Sequence, residues 1–192
     1  FMATMLGMKQ VYVGKFEPEV AIKLYAIHHP TISHCVPTIM QMFVGHPATA
    51  NLDLKGWKVI IGGSALPKTL AKASLQRGID IIVGYGMSET APILTMSYVG
   101  VNDKDNPDLD WQVTARTRSG VPAPMVDLKI VDEDGNVVPK DDETMGEVVA
   151  RTPWLTQGYY NEPEKSEELW RDGWLHTGDV ATWNAQNNIK IA

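Results

Sequence analysis

The sequence predicts an α/β fold: part of a doubly wound, mostly parallel sheet in residues 1–100, followed by a β-rich, barrel-like subdomain in residues 101–192. Two observations favour it. Residues 57–61 and 79–83 are short β-branched runs of the kind that forms fully buried parallel strands, and a helical segment separates them. Beyond residue 110, apolar and polar residues alternate, which is typical of strands with one buried face.

The composition narrows the classes of function. The 192 residues have a formal net charge of -6, with basic residues interspersed among acidic ones. This distribution argues against a nucleic-acid or anionic-membrane surface, so any polyanion must bind locally. The single cysteine, Cys35, cannot form an internal disulfide and favours a reducing, cytoplasmic location. No apolar run approaches the roughly 20 residues that span a bilayer.

Both ends of the sequence predict that the chain is a piece of a longer protein. It begins at Phe1 without an initiator methionine. It finishes on an apolar, strand-like pattern in residues 189–192.

Seven elements are predicted in the first subdomain from β-branched runs, helical spacing of apolar residues and acids or prolines at helix starts. In order they are a strand near residues 10–13, a helix beginning at 17–19, a strand in 31–36, a helix in 38–44, a strand in 57–61, a helix in Lys68–Gln76 and a strand in 79–83. The last three form a βαβ unit, which brings the ends of its two strands to one edge of the sheet.

A polar connection is predicted over residues 101–110, and the second subdomain after it is expected to be mostly β. Its elements are strands in residues 126–130, 137–138 and 146–150, a hairpin turn at Asp134-Gly135, a short acidic helix in 161–170 and an extended segment in 174–176.

Polar residues follow directly after the second strand of the βαβ unit. Gly84 and Gly86 let the backbone approach a ligand closely, and Tyr85 between them offers a flat ring. Ser88 adds a hydroxyl for phosphoryl oxygens, and Glu89 adds a hard carboxylate for Mg²⁺. Ligands of open α/β sheets bind beyond the carboxyl ends of the strands, so the pattern predicts a polyanion site. An ordinary strand-to-loop turn explains the spacing equally well.

Two further turns have the same character. Gly62-Gly63 ends the first strand of the βαβ unit and Ser64 follows; two such turns on one sheet edge favour a ligand site over a plain turn. Downstream, the glycine turn Thr177-Gly178-Asp179 ends in a carboxylate that can accept hydrogen bonds from the two hydroxyls of a ribose. Turn capping by Asp179 is the structural alternative.

Standard motifs do not describe residues 84–90. A dinucleotide fingerprint needs a glycine at Glu89, and a Walker loop needs Gly-Lys-Ser/Thr. A nucleophile elbow around Ser88 needs a glycine at Thr90. Residues 84–90 alone therefore do not match a standard motif that would define the site.

Taken together, four stretches resemble the adenylate-forming acyl-CoA synthetases, the superfamily that includes firefly luciferase and peptide-synthetase adenylation domains. They match its motifs in order and spacing over nearly the whole chain. The four are Gly62-Gly63-Ser64-Ala65-Leu66, Tyr85-Gly86-Met87-Ser88-Glu89-Thr90, Gly146-Glu147-Val148 through Gly158-Tyr159-Tyr160, and Gly173-Trp174-Leu175-His176-Thr177-Gly178-Asp179.

The resemblance implies a two-step reaction. A carboxylic acid attacks the α-phosphorus of ATP to give an acyl-adenylate and pyrophosphate, and the thiol of CoA then displaces AMP. ATP, Mg²⁺ and CoA would be the cofactors and co-substrates. Catalysis would rest on positioning and charge neutralisation rather than on a protein nucleophile.

The resemblance also implies a role for each matching residue. Ser88 would bond the phosphate or the acyl carboxylate and Glu89 would hold Mg²⁺, which makes them the catalytic pair. Tyr85 would lie against the adenine, and Asp179 would bind the ribose hydroxyls. The expected nucleotide-binding positions are Gly62, Gly63, Ser64, Tyr85, Gly86, Ser88, Asp179 and Ile191, with Gly63 and Ser64 also lining the acyl pocket.

The match has departures and gaps. Ser88 replaces a commoner threonine, His176 an arginine and Thr152 a glycine, and none of these changes removes a proposed ligand group. The family's phosphate loop precedes Phe1, and its mobile C-terminal domain with the catalytic lysine follows Ala192. This chain alone is therefore expected not to form an acyl-adenylate.

Within the superfamily, residues 1–47 look most like the fatty-acyl and medium-chain branch, which includes ligases for methylthiopropionate. Two other classes of function remain as alternatives. A serine hydrolase would use Ser88 with Asp179 and a histidine, but the elbow glycine is missing and His176 precedes Asp179. A non-catalytic module would use the glycine turns only structurally. A homo-oligomer is compatible with each reading.

Overall fold

The structure, a computed structural model, describes residues 2–97, 99–100, 103 and 106–192. Its helices are α1 (Met2–Met5), α2 (Pro18–His28), α3 (Pro37–Gly45), α4 (Lys68–Gln76), α5 (Leu109–Thr117) and α6 (Pro163–Leu169). Its strands are β1 (Ile32–Cys35), β2 (Lys58–Ile61), β3 (Asp80–Tyr85), β4 (Thr95–Met96), β5 (Val121–Pro122), β6 (Asp127–Val131), β7 (Gly146–Arg151), β8 (Trp170–Arg171), β9 (Trp174–Trp183) and β10 (Ile189–Ile191).

These strands form two sheets, which confirms the predicted α/β class. The first sheet has the order β1-β2-β3-β4-β5, with β1, β2 and β3 parallel and the last two strands antiparallel. The second sheet is antiparallel with the order β10-β9-β7-β6, and β8 adds to β9. This second sheet, formed by β6 to β10, curls into a half-barrel.

The parallel strands β2 and β3 bury one face completely, and Ile60 and Ile82 on the opposite face are half-buried. Val59, Ile61 and Ile81 are fully buried in one cluster that also contains Leu70 and Ala71 of α4. A β-branched residue fits such a strand because its branched side chain packs well on a pleated surface. The predicted βαβ unit is therefore present as β2, α4 and β3, with β2 and β3 in parallel register.

On the same sheet, α2 and α3 cover an aromatic cluster. The rings of Tyr25, Phe43 and Trp57 contact one another with centroids 4.8 to 5.7 Å apart. The indole nitrogen of Trp57 donates to the Ser33 hydroxyl at 2.9 Å, which satisfies the polar edge of this buried ring.

Three predicted elements differ in the structure. Residues 10–13 form no strand, and Tyr12 is 80% exposed, because no neighbouring strand pairs with this segment. Residues 137–138 make only an isolated bridge, from Val137 to Val131. β3 runs on through Gly84 and Tyr85, since β4 pairs with both residues.

Helix α5 was not predicted, and it packs against α4 and β3 of the first sheet. Asp108 caps its start by accepting from the amides of Asp110 and Trp111. The polar connection predicted over residues 101–110 falls partly on positions 101, 102, 104 and 105, which lie outside the described residues, as does Phe1. The domain boundary after residue 100 stays a prediction.

The two sheets are joined at the end of the chain. Gly120, just before β5, bridges to Ile189 of β10. The Arg118 guanidinium donates to both carboxylate oxygens of Asp142 and to the backbone oxygen of Asn188. These contacts bring the carboxyl end of β3 against the half-barrel.

Across residues 2–97, 99–100, 103 and 106–192, no helix combines the length and the apolar character needed to cross a membrane.

Candidate functional site

The glycine turns after β2 and β3 lie side by side. A methyl group added at Gly62 would lie 3.3 Å from the backbone oxygen of Gly84, so the backbones approach closely there. Gly63 has φ of +87°, a left-handed conformation that favours glycine. Ser64 follows and is exposed. The structure thus brings both turns to one edge of the first sheet, where a ligand site was predicted.

The loop after β3 presents Ser88 and Glu89 outward. Both belong to a short 3₁₀ turn, Ser88–Thr90, in which Ser88 is exposed and Glu89 is half-buried. The buried Thr90 hydroxyl accepts from the Met87 amide at 2.9 Å and lies 2.9 and 3.0 Å from the carbonyl oxygens of Met87 and Pro92. Thr90, to which sequence reasoning gave no separate role, therefore holds the loop closed.

Gly86 is a position in this loop at which any side chain would clash with the backbone. A methyl group there would lie 1.8 Å from the Pro92 carbonyl oxygen. We expect Gly86→Ala to displace the loop and lower nucleotide affinity at least tenfold, measured by calorimetric titration of the full-length protein. Gly135→Ala is the control because it also has positive φ but nothing within 4 Å. It should cost about 1 kcal/mol of stability and leave affinity unchanged. If Gly86→Ala bound the nucleotide as tightly as Gly135→Ala, the prediction would be contradicted.

Tyr85 and Asp179 meet across the two sheets. The Tyr85 hydroxyl donates to Oδ2 of Asp179 at 2.8 Å. Burial raises the pKa of Tyr85, and the neighbouring Asp179 carboxylate raises it further, so the phenol stays protonated and remains a donor. The ring packs against both apolar clusters of the half-barrel. Two residues that the sequence placed in one candidate site are thus in direct contact.

The turn before Asp179 is held by a carboxylate. Glu147 of β7 accepts from the Gly178 amide at 3.0 Å through Oε1, and its Oε2 lies 2.8 Å from Nδ1 of His176. The Thr177 hydroxyl donates to a β7 carbonyl and accepts from the Asp179 amide at 3.1 Å. Glu147 lies within one of the four stretches that resemble the family. Its contact is with Gly178, 31 residues away, so no local sequence pattern could predict it.

On the other side, Glu89 contacts the segment after β7. Its Oε1 accepts from the Tyr159 hydroxyl at 2.7 Å, and its backbone oxygen accepts from the Thr156 amide at 3.0 Å. The hydrogen bond to Glu89 raises the pKa of Tyr159. Sequence reasoning assigned Tyr159 no role.

A cleft of about 380 Å³ separates these two groups of residues. It is lined by Met87, Glu147, Tyr159, Lys165, Glu168, Leu169, Arg171, His176, Thr177 and Gly178. Its lining includes the carboxylates of Glu147 and Glu168 and the cations of Lys165 and Arg171, so it suits a polar ligand that carries charge.

Two predicted site residues lie further from these contacts. Ile191 sits in β10, half-buried, and packs with Tyr85 against the same apolar cluster. Within the part of the chain that the structure describes, Ser88 forms no hydrogen bond with a histidine, and His176 is instead bonded to Glu147. The geometry therefore does not assemble a triad around Ser88.

The donor set at Glu89 suits magnesium rather than a tightly caged metal. In the described ranges of the chain, no group of three or more His, Cys, Asp or Glu side chains is placed to hold a metal ion. One accessible carboxylate beside the Ser88 hydroxyl fits Mg²⁺, which keeps several waters and binds through one or two carboxylates plus substrate phosphates.

The chain belongs to the AMP-binding enzyme family, whose model matches residues 1–160. It is 32% identical to a long-chain fatty acid CoA ligase of Thermus thermophilus, over 100% of this chain and 36% of that protein. It is 34% identical to a 3-methylmercaptopropionyl-CoA ligase of Ruegeria lacuscaerulensis, over 97% of this chain and 35% of that protein. The chain thus spans little more than a third of the length of both relatives.

A solved domain has the same fold. The N-terminal domain of FACL13 from Mycobacterium tuberculosis superposes with a TM-score of 0.83, over 99% of this chain and 45% of that one, at 22% identity. At this identity the likeness supports the fold and not the substrate.

Proposed function

We propose that the protein containing this chain is an AMP-forming acid–CoA ligase. The observation that supports it most is the hydrogen bond between Tyr85 and Asp179, with Glu89 in the loop that directly follows the strand of Tyr85. A flat ring suits the adenine, a carboxylate suits the vicinal hydroxyls of the ribose, and a hard oxygen ligand suits the Mg²⁺ that accompanies the phosphates of ATP. The CoA ligases among the relatives agree with this reading.

In this proposal each residue acts by binding and orientation. Tyr85 offers its ring to the adenine, and Asp179 accepts hydrogen bonds from the ribose while held by the Tyr85 hydroxyl. Ser88 donates to the phosphate or to the acyl carboxylate. Glu89 would hold Mg²⁺, which would supply neutralisation of the phosphate charge. Gly62, Gly63, Ser64, Gly86 and Ile191 complete the nucleotide and acyl surfaces.

The proposed acyl substrate is a medium- or long-chain fatty acid or a methylthiopropionate-like acid. The names of the two relatives above support this range. Calorimetric titration with non-hydrolysable alkyl-AMP esters of increasing chain length tests it. Affinity that rises with alkyl length supports an acyl pocket beside the nucleotide, and affinity independent of length contradicts the fatty-acyl assignment.

Asp179→Ala provides the test of the nucleotide site. We expect AMP to bind roughly 100-fold more weakly to this variant of the full-length protein, because losing two hydrogen bonds to a charged group costs about 3 kcal/mol. The control is Asp134→Ala, an exposed carboxylate in a turn of the same half-barrel. Wild-type affinity in Asp179→Ala would reject the ribose assignment, and failure of the wild type to bind any adenylate would favour the non-catalytic module.

Further parts of the proposal concern the chain alone and its surroundings. The chain by itself is expected to release no pyrophosphate from ATP and a fatty acid, and release would contradict this. Labelling of Ser88 by a fluorophosphonate would instead support the serine hydrolase. A cytoplasmic location is proposed because the sequence has one cysteine. The oligomeric state is left to measurement.

A further inference from the structure

The segment that follows β7 contacts Glu89 at two points. The Thr156 amide donates to the Glu89 backbone oxygen, and the Tyr159 hydroxyl donates to Oε1 of its side chain. One contact fixes the backbone of Glu89, and the other fixes the orientation of its carboxylate. Glu89 and Tyr159 are 70 residues apart in the sequence.

Tyr159 is itself anchored to α6. Its amide donates to the Ser166 hydroxyl at 2.9 Å, and that hydroxyl donates to the backbone oxygen of Glu162 at 2.7 Å. The chain approaches so closely that a methyl group at Gly158 would lie 2.7 Å from the Ser166 oxygen. The Thr156 hydroxyl also donates to the Gly158 carbonyl at 3.1 Å. The phenol of Tyr159 therefore projects from a backbone that is fixed on both sides.

We propose that Tyr159 is the positioning residue for the Glu89 carboxylate, holding Oε1 so that Oε2 is presented to the magnesium ion of the nucleotide. This rests on the proposed function. Oε2 accepts no hydrogen bond from the residues that the structure describes. A neutral phenol fixes the carboxylate without neutralising its charge, so the metal meets a fully anionic ligand in one orientation. Without the hydroxyl, the carboxylate rotates freely and must be ordered when the metal binds.

The position of Tyr159 also separates this role from general packing. The ring lines the cleft and is 39% exposed, so its contribution to the core is small. The neighbouring Tyr160 is 90% exposed and makes no contact with Glu89. The chain thus offers a matched pair of tyrosines, of which one touches the metal-binding carboxylate.

The test uses Tyr159→Phe in the full-length protein, with Tyr160→Phe as the control. Binding of Mn²⁺ to the ATP complex is followed by the electron paramagnetic resonance signal of free Mn²⁺, a readout that does not require turnover. We expect the Mn²⁺ dissociation constant to rise about tenfold in Tyr159→Phe, at the lower end of the effect of removing a group that orients a metal ligand. Tyr160→Phe should match the wild type.

Affinity for AMP without metal separates positioning from structural damage. It should be unchanged in Tyr159→Phe, and a fall equal to that for Mn²⁺ would mean a structural role and overturn the proposal. Unchanged Mn²⁺ affinity in Tyr159→Phe, with a wild type that binds Mn²⁺ and ATP, would overturn this inference alone. A wild type that binds neither would overturn the proposed function and this inference together.

Discussion

Replacing Glu89 by glutamine in the full-length protein is expected to slow acyl-adenylate formation by roughly 100- to 1000-fold. Glutamine keeps the size of the side chain, and its amide oxygen still accepts from the Tyr159 hydroxyl. It removes the negative charge, which is the property that a hard divalent cation needs. The rate is measured as exchange of labelled pyrophosphate into ATP in the presence of the acid substrate.

Glu168→Gln is the matched control for this substitution. Glu168 of α6 lines the cleft that Tyr159 also lines, but it is exposed and forms no ion pair with the residues that the structure describes. It should leave the exchange rate within about twofold of the wild type, since surface charges have small effects. Wild-type exchange in Glu89→Gln would show that the magnesium ligand lies elsewhere in the protein.

The second large effect concerns stability. Arg116 of α5 is 6% exposed, pairs with Asp80 of β3 and donates to the Ile81 carbonyl at 3.0 Å. We expect Arg116→Met to lower the free energy of unfolding by about 3 kcal/mol, because the Asp80 carboxylate, only 19% exposed, and the buried Ile81 carbonyl both lose their partner. Two-state urea unfolding, followed by fluorescence, measures the change.

Lys72→Met is the control for that loss. Lys72 of α4 pairs with Asp110 of α5, the helix that carries Arg116, but the side chains of this pair are 46% and 82% exposed. Solvent screens such a pair, so its removal should destabilise the protein far less than the loss of Arg116. Equal losses from the two variants would mean that burial of the Arg116 pair contributes nothing.

These same residues explain why α5 escaped prediction. Its buried positions include Gln112 and Arg116 beside Val113, so the inward face reads as polar in sequence. The side chains are buried because they bond to each other and to β3, a condition that only the tertiary structure reveals. Strands β2 and β3 could be predicted because each contains a short run of β-branched residues.

The candidate site divides in the same way. Tyr85 ends strand β3, and Ser88 and Glu89 lie in the loop that follows it, so their proximity could be predicted from the sequence. The contact of Tyr85 with Asp179 joins residues 94 apart, and it was not predicted, although the family resemblance assigned both residues to one nucleotide site. Nothing local connected Tyr159 with Glu89. Residues 10–13 show the limit of such a prediction. They have β propensity, but no neighbouring strand pairs with them, so they form no strand.

The hydrogen bond between Tyr85 and Asp179 has a thermodynamic consequence. It joins the first sheet to the half-barrel, and each of these has its own apolar core. A nucleotide bound to both residues adds its binding free energy to the association of the sheets, about 2.7 kcal/mol at 100 times its dissociation constant. A mutation that loosens the half-barrel from the first sheet weakens nucleotide binding in proportion to the loss of molecules in which the two sheets are associated.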